Sequence, residues 1–331
     1  MATSNKPRVI APRVIAIEEH YWDPEVAASF TAAGGPRRER PGATVERLYD
    51  YSEIRLKEMD EAGIDCQVLS HGAPSTQRGD PAAAVKLARG ANDRLREIVE
   101  AHPSRFAAFA CLPTPDPEAS TAELERCVKD LGFKGAMVHG LTNGVFFDDR
   151  RFWPIFQKAQ ELDVPLYMHP AAPHPAVVEA YYQDYLEDFP SLGTAGWGYT
   201  VETATLGIRL VLSGVFDAYP GLKIILGHMG ESLPFSLWRI NQALARQGNR
   251  DTDFSFRDYF RKHFWITTSG NFSNPALLCS VMEMGVDRIM FSVDYPFVHN
   301  DLAAAWVPTI PLCDEDKAKI LSGNAEKLLR V

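Results

Sequence analysis

Short apolar runs rich in β-branched and aromatic residues recur along this 331-residue chain, and segments of helical period fill the spaces between them. The runs cover 8–17, 65–70, 106–111, 135–138, 164–168, 222–226, 264–268 and 288–293. Helical patterning covers 53–62, 82–101, 118–131, 152–162, 201–213, 233–246 and 276–284. Such alternation is the signature of a parallel sheet clothed by helices. Eight strands is the number that closes such a sheet into a TIM barrel. The sequence therefore predicts an α/β fold, a (β/α)8 barrel in a single domain spanning 1–331, with two ordinary domains as the alternative. Asp80-Pro81, Asp116-Pro117 and Asn274-Pro275 each place a capping side chain before a proline whose fixed φ suits the first helical position. Gly132 and Gly285 mark helix ends. Segments 33–41 and 170–198 are too long for barrel turns and are read as loop insertions on the C-terminal, active-site face.

Composition narrows the partners. A hydrophobic content of 46% supports a large core, and the net charge of −9 comes without long acidic or basic runs. That balance argues against nucleic acid and anionic membrane and leaves a small soluble substrate as the expectation. Cys66, Cys111, Cys127, Cys279 and Cys313 are scattered with no CxxC pair, as in a reduced compartment. The start, "MATSNKPRVIAPRV", lacks the apolar stretch of a signal peptide, and no run approaches the ~20 apolar residues of a membrane span. The expected location is cytoplasmic.

Four of the predicted strands end in ionisable residues that suit a metal: Glu18-Glu19-His20, His169, His228 and Asp294. Active sites of (β/α)8 enzymes lie at the C-terminal ends of the strands, so these residues converge. Strand alternation turns Glu18 and His20 to one face and Glu19 to the other. Glu18 and His20 can share one ion, and His169 with Asp294 would complete a mixed nitrogen and oxygen shell suited to Zn²⁺ or Mn²⁺. Of nine histidines, His20, His71, His139, His169 and His228 fall at strand ends, whereas His102 and His263 precede strands and His174 and His299 lie in loops. His71 and His139 read more simply as structural histidines. Asp294 alone would read as the start of a turn.

Several longer motifs accompany these residues: "EEH" at 18–20, "RLKEMDEAGI" followed by "DCQVLS", "HP" at 169–170, "ILGHMGESLPFSLWRI", "TTSGNF" at 267–272 and "FSVDYPF" at 291–297. Together they resemble the amidohydrolase superfamily, in the branch of metal-dependent non-oxidative decarboxylases that includes 2-amino-3-carboxymuconate-6-semialdehyde decarboxylase. Within that branch the chain is most similar to the gamma-resorcylate (2,6-dihydroxybenzoate) decarboxylases, which also carry Glu-Glu-His where many superfamily members have His-x-His. The resemblance implies that Glu18, His20, His169 and Asp294 are metal ligands. It matches His228 and Glu231 to a pair beyond the ligands, and Arg239 to an arginine placed close to substrate. Binuclear members bridge two metals with a carboxylated lysine at the end of strand four. Here that strand ends "MVHG" and Lys134 lies near its beginning, so one divalent ion is expected.

The function implied is decarboxylation of a hydroxybenzoate whose carboxylate and ortho phenolic oxygen are chelated, with Asp294 protonating the carboxyl-bearing ring carbon. No carbanion forms on the ring, so no organic cofactor is expected. His228 and Glu231 serve as proton relay or orienting pair. Arg239, Phe297, Asn271 and His71 are candidate substrate contacts. Tyr181, Tyr182, Tyr185, Phe189, Trp197 and Tyr199 line either a pocket or a subunit interface. By resemblance the chain forms a homodimer or homotetramer. The alternatives are a mononuclear metal-dependent hydrolase or hydratase acting on a lactone, amide or unsaturated acid, and a non-catalytic ligand-binding barrel.

Overall fold

In the computed structural model of the chain, which describes residues 13–32, 42–245 and 254–331, all strand pairs are parallel. The strands are β1 (Ile15–Tyr21), β2 (Cys66–His71), β3 (Phe106–Ala108), β4 (Ala110–Cys111), β5 (Ala136–His139), β6 (Leu166–His169), β7 (Ile224–Leu226), β8 (Phe264–Thr267) and β9 (Ile289–Met290). They pair as β1-β2-β3 and as β4 through β9 in order. The break between β3 and β4 falls at Phe109, within one predicted strand. Phe109 N–H still donates to Leu69 O and Ala110 N–H to Gly135 O, so the chain swings from one neighbour to the other there. Eight barrel positions result, as the sequence predicts.

The barrel closes between β9 and β1 largely through side chains. Glu18 N–H donates to Ser292 Oγ at 2.6 Å, and Glu19 Oε1 accepts from Val293 N–H at 2.9 Å. Glu19 Oε2 accepts from Tyr295 N–H at 3.2 Å, while His20 N–H donates to Tyr295 O at 2.6 Å. A carboxylate thus replaces part of the ladder, which is why β9 ends well before the predicted limit of 293. Burial pushes the Glu19 carboxyl up to about 8 despite these donors.

The first strand also differs from its predicted span of 8–17. Residues 8–12 lie outside the described residues, and β1 runs on to Tyr21, so Glu18, Glu19 and His20 are interior strand residues. All three are fully buried. The β1–β2 register slips by one residue between Ala16, opposite Gln67, and Glu19, opposite Leu69. That is a β-bulge, which changes the phase of the residues after it.

Helix 53–62 forms as the sequence predicts, and the others match within a few residues of their ends: Pro81–Ala101, Pro117–Lys129, Trp153–Glu161, Gly198–Ser213, Leu233–Ala245 and Asn274–Met284. Asp80 and Asp116 cap as expected, accepting from Ala83 and Ala119 N–H. Asn274 does not. Ser273 is the cap, and Asn274 instead ties Thr309 O and Trp306 Nε1 to the helix start. Segment 33–41 lies outside the described residues. Segment 170–198 leaves the C-terminal end of β6 and folds into short helical turns from Pro175 to Gly193. All five cysteines are free, and among the described residues no helix is long and apolar enough to cross a membrane.

One fully buried cation supports the first strand from outside. Arg55 donates to His20 O at 2.6 Å, Asp50 O at 3.0 Å, Arg47 O at 3.1 Å and Gln67 Oε1 at 3.1 Å, and lies over the Tyr295 ring. A planar fork can serve that many acceptors at once, and an ammonium cannot. Arg55→Lys should therefore lower the unfolding free energy by about 2 kcal/mol through orphaned buried carbonyls. Urea denaturation checks this, and a change below about 0.5 kcal/mol would place the strength of this corner elsewhere.

Candidate metal centre

Inside the barrel, Ile17, Val68, Met137, Tyr167, Ile225 and Met290 pack in one apolar cluster. Side chains two residues further along a strand share its face. The next layer is therefore Ser70, His139, His169 and Gly227, and Asp294 joins it from the segment after β9. On β1 the same count from Ile17 would bring Glu19 inward. The bulge corrects the phase, so that Glu18 and His20 enter the site and Glu19 faces Ser292–Tyr295.

Ligand atoms of Glu18, His20, His169 and Asp294 all lie within 4.8 Å of one another. His20 Nε2 is 3.2 Å from Asp294 Oδ1, and His169 Nε2 is 3.2 Å from Glu18 Oε1. Yet Glu18 Oε1, His20 Nε2 and Asp294 Oδ1 are buried and have no hydrogen-bond partner. His169 Nδ1 lies 2.7 Å from Pro170 O, which can only accept, so this nitrogen carries the proton. Nε2 is then the nitrogen that faces a carboxylate oxygen and is the one placed to ligate. Buried acceptors aimed at one point cost about 1–3 kcal/mol each when unmet. A divalent cation at that point would satisfy them, and two nitrogens with two carboxylates are a donor set that Zn²⁺ or Mn²⁺ accepts.

The two oxygens of Glu18 have different surroundings. Oε2 accepts from Tyr167 Oη and Ser269 Oγ and lies 3.3 Å from Thr267 Oγ1. Gly227 walls the same oxygen, since a Cβ there would stand 2.6 Å from it. Oε1 has no donor of this kind and faces His169 Nε2 at 3.2 Å and His228 Nε2 at 3.6 Å.

His228 begins a left-handed turn. His228, Met229, Gly230, Glu231 and Ser232 all have positive φ, which costs about 1–2 kcal/mol for each non-glycine residue. Strain of this kind persists where the surroundings over-determine it. The turn brings His228 Nδ1 to 2.8 Å from Glu231 Oε1 and leaves Nε2 3.7 Å from Asp294 Oδ2. Burial opposes charge on His228, but Glu231 and Glu18 outweigh it and raise its pKa well above the ordinary value. Burial likewise opposes charge on Glu18, yet the His228 and His169 imidazoles hold its carboxyl down at about 2. Burial also opposes charge on Asp294, yet the nearby His20 and His228 imidazoles hold its carboxyl below the usual carboxylate range.

A family model described as Amidohydrolase matches residues 15–331. The chain is 41% identical to gamma-resorcylate decarboxylase of Polaromonas sp. over 327 residues, 96% of this chain and 98% of that one. The chain belongs to the amidohydrolase family. Its structure is similar to that of a dihydroxybenzoic acid decarboxylase from Polaromonas sp., solved with bound manganese and the inhibitor 2-nitroresorcinol. That match has a TM-score of 0.88 at 40% identity and covers 96% of this chain and 97% of that one. It is also similar to 5-carboxyvanillate decarboxylase from Sphingomonas paucimobilis, with a TM-score of 0.89 at 34% identity over 97% and 99% of the two chains.

As an amidohydrolase barrel, the chain has no lysine at the end of its fourth barrel strand. That strand ends at His139, and Lys134 Nζ donates to Arg330 O at the opposite end. Among the proposed substrate contacts, Phe297 has its ring 5.4 Å from that of His20. His71 is buried, with Nδ1 2.8 Å from Gly72 O and a pKa pushed down by burial to about 4. Asn271 is half-buried in the loop after β8. Arg239 is exposed, on the same helical face as Phe235 and Trp238, and the structure does not bring it to the cluster within this chain. Tyr181, Tyr185, Phe189 and Trp197 are exposed while Tyr182 is buried, so the insertion does not wrap a closed aromatic pocket. The sequence reading passed over Tyr167, Thr267 and Ser269. Thr267 and Ser269 carried a signal as polar residues two apart where β8 ends, whereas Tyr167 carried none.

Gly227 has φ −73° and ψ −173°, which alanine can adopt, so only the Cβ contact opposes substitution. Gly227→Ala should displace the Glu18 carboxylate and raise the Mn²⁺ dissociation constant at least about tenfold, in line with other changes to groups that orient ligands. Far-UV circular dichroism should stay unchanged. Calorimetric titration with Mn²⁺ makes the measurement, and undiminished affinity would mean that Glu18 is not held in this position.

Proposed function

We propose that this chain is a metal-dependent non-oxidative decarboxylase of a hydroxybenzoate-type acid, a carboxy-lyase in one barrel domain spanning 1–331. The observation that carries the reading is the double exposure of Asp294. Its Oδ1 lies 3.2 Å from Nε2 of His20, while its Oδ2 lies 3.7 Å from Nε2 of His228. Glu18, His20, His169 and Asp294 would hold one divalent ion, Zn²⁺ or Mn²⁺. That ion supplies Lewis acidity and a template for a carboxylate and an ortho phenolic oxygen.

The chain's own groups then do the proton work. Asp294 delivers a proton to the carboxyl-bearing ring carbon. The bond to the carboxylate breaks, its electron pair returns to the ring, and carbon dioxide leaves as aromaticity is restored. Because no carbanion forms, the reaction needs no organic cofactor. His228, kept charged by Glu231, resupplies the proton to Asp294, and the reverse sequence carboxylates the ring. Phe297, whose ring lies 5.4 Å from that of His20, would flank the substrate ring, with His71 and Asn271 as further substrate contacts.

A second copy of the chain is the partner we infer, giving a homodimer or homotetramer. Phe235 is 84% exposed, Trp238 62% and Met282 79%, on helices Leu233–Ala245 and Asn274–Met284, which pack on each other. Arg239 and Glu283 are the only charged residues of these two helices. Aromatic and methionine side chains with little charge are the composition of an interface core. Two copies of net charge −9 can approach there with little repulsion. Arg239 belongs to this surface. Free cysteines support a cytoplasmic location.

Metal analysis followed by carbon dioxide release across hydroxybenzoates tests the reaction. Asp294→Asn should retain metal and lose on the order of 10³-fold in turnover. Equal turnover would remove Asp294 as donor, and conversion of a lactone, amide or unsaturated acid without carbon dioxide release would favour the hydrolase or hydratase alternative. Phe235→Glu should reduce the mass seen by analytical ultracentrifugation to that of one chain. An unchanged mass would place the interface elsewhere.

A further inference from the structure

The asymmetry of Glu18 has a consequence for substrate chelation. Tyr167, Thr267 and Ser269 are fully buried and join in a chain of hydroxyls. Tyr167 Oη is 2.8 Å from Thr267 Oγ1, which is 2.7 Å from Ser269 Oγ. The chain ends on Glu18 Oε2 from both sides, through Tyr167 and through Ser269. Gly227 closes the remaining side of Oε2.

A carboxylate oxygen offers about two lone-pair sites. The two on Oε2 are taken by donors bound to a charged acceptor, the stronger class of hydrogen bond. Oε1 alone remains for the cluster. We propose that Tyr167, Thr267 and Ser269 are positioning residues that hold Glu18 as a one-oxygen ligand, and so keep a coordination position for the second oxygen of a chelating substrate. The proposal rests on the single-metal reading above. Without the hydroxyls, Glu18 is free to turn both oxygens to the ion and compete with the substrate for that position. Thr267 ends β8, Ser269 lies two residues beyond it, and Tyr167 lies two before His169 on β6, so the segments on either side of β7 supply the clamp.

The test compares salicylate, which can chelate through carboxylate and phenol, with benzoate, which lacks the phenolic oxygen. Both are titrated into the Mn²⁺-loaded enzyme and into Tyr167→Phe/Ser269→Ala, after Mn²⁺ affinity has been measured for each protein alone. The preference for salicylate over benzoate should fall at least tenfold in the variant while Mn²⁺ affinity stays within about threefold. Ser269→Thr, which keeps the hydroxyl, should restore the preference in the Tyr167-containing protein. If the double variant fails to fold, Ser269→Ala alone should lower the preference at least threefold. An unchanged preference in a folded variant overturns the proposal, even where Mn²⁺ affinity has dropped as it would for a purely structural support. Failure of the unsubstituted enzyme to bind Mn²⁺ or Zn²⁺ would instead overturn the single-metal reading beneath it.

Discussion

The single extra residue in β1 decides which carboxylate enters the barrel. Ile15 and Ile17 face the interior cluster, and uninterrupted alternation would send Glu19 in after them and leave Glu18 and His20 against the helices. The register slip between Ala16 and Glu19 reverses that assignment. Glu18 then meets Tyr167, Ser269 and His169, while Glu19 is free to accept the backbone N–H groups of Val293 and Tyr295. Site and barrel closure are thus two faces of one local irregularity. Bulges re-aim side chains next to active sites in this way.

Burial makes that arrangement work electrostatically. Glu18 and His20 are completely enclosed, and isolated charges at such depth are prohibitively costly. Each group is compensated by a neighbour of opposite tendency: Glu18 by His169 and His228, and Asp294 by His20 and His228. His139 differs, because it is depressed by burial and by the histidines around it, and its Nδ1 stands 3.0 Å from Nδ1 of His169. A neutral His139 can accept there, which helps fix the tautomer of His169. A histidine read from sequence as structural therefore touches a member of the cluster.

Much of this was legible before any coordinates. Strand count, helix spans and the convergence of Glu18, His20, His169 and Asp294 follow from periodicity and from polar residues placed at the ends of apolar runs. What escaped was information carried by phase and by contacts distant in sequence. Nothing in "RVIAIEEH" marks a bulge, since the slip is defined only against β2. Tyr167 looks like an ordinary apolar-strand residue until Glu18, 149 positions away, is seen to accept from it. Asn274 failed as a cap because Ser273, one residue earlier, offers the same chemistry and the proline then takes the second helical position. Arg239 matched a motif, yet its place on the helix beside Phe235 and Trp238 turns it to the surface.

The left-handed turn at 228–232 gives Asp294 its second partner. A right-handed continuation from β7 would carry the residue after Gly227 along a helix. Positive φ at His228 and the residues after it instead folds Glu231 back onto the imidazole. The imidazole is then held between two carboxylates, Glu231 at Nδ1 and Asp294 near Nε2. A carboxylate whose own pKa is depressed is a poor standing acid, so a proton donor built on Asp294 needs a charged neighbour to recharge it. In the proposed mechanism His228 would meet that need, since Glu231 and Glu18 raise its pKa, and the chain bears the strain of four left-handed non-glycine residues to hold it there.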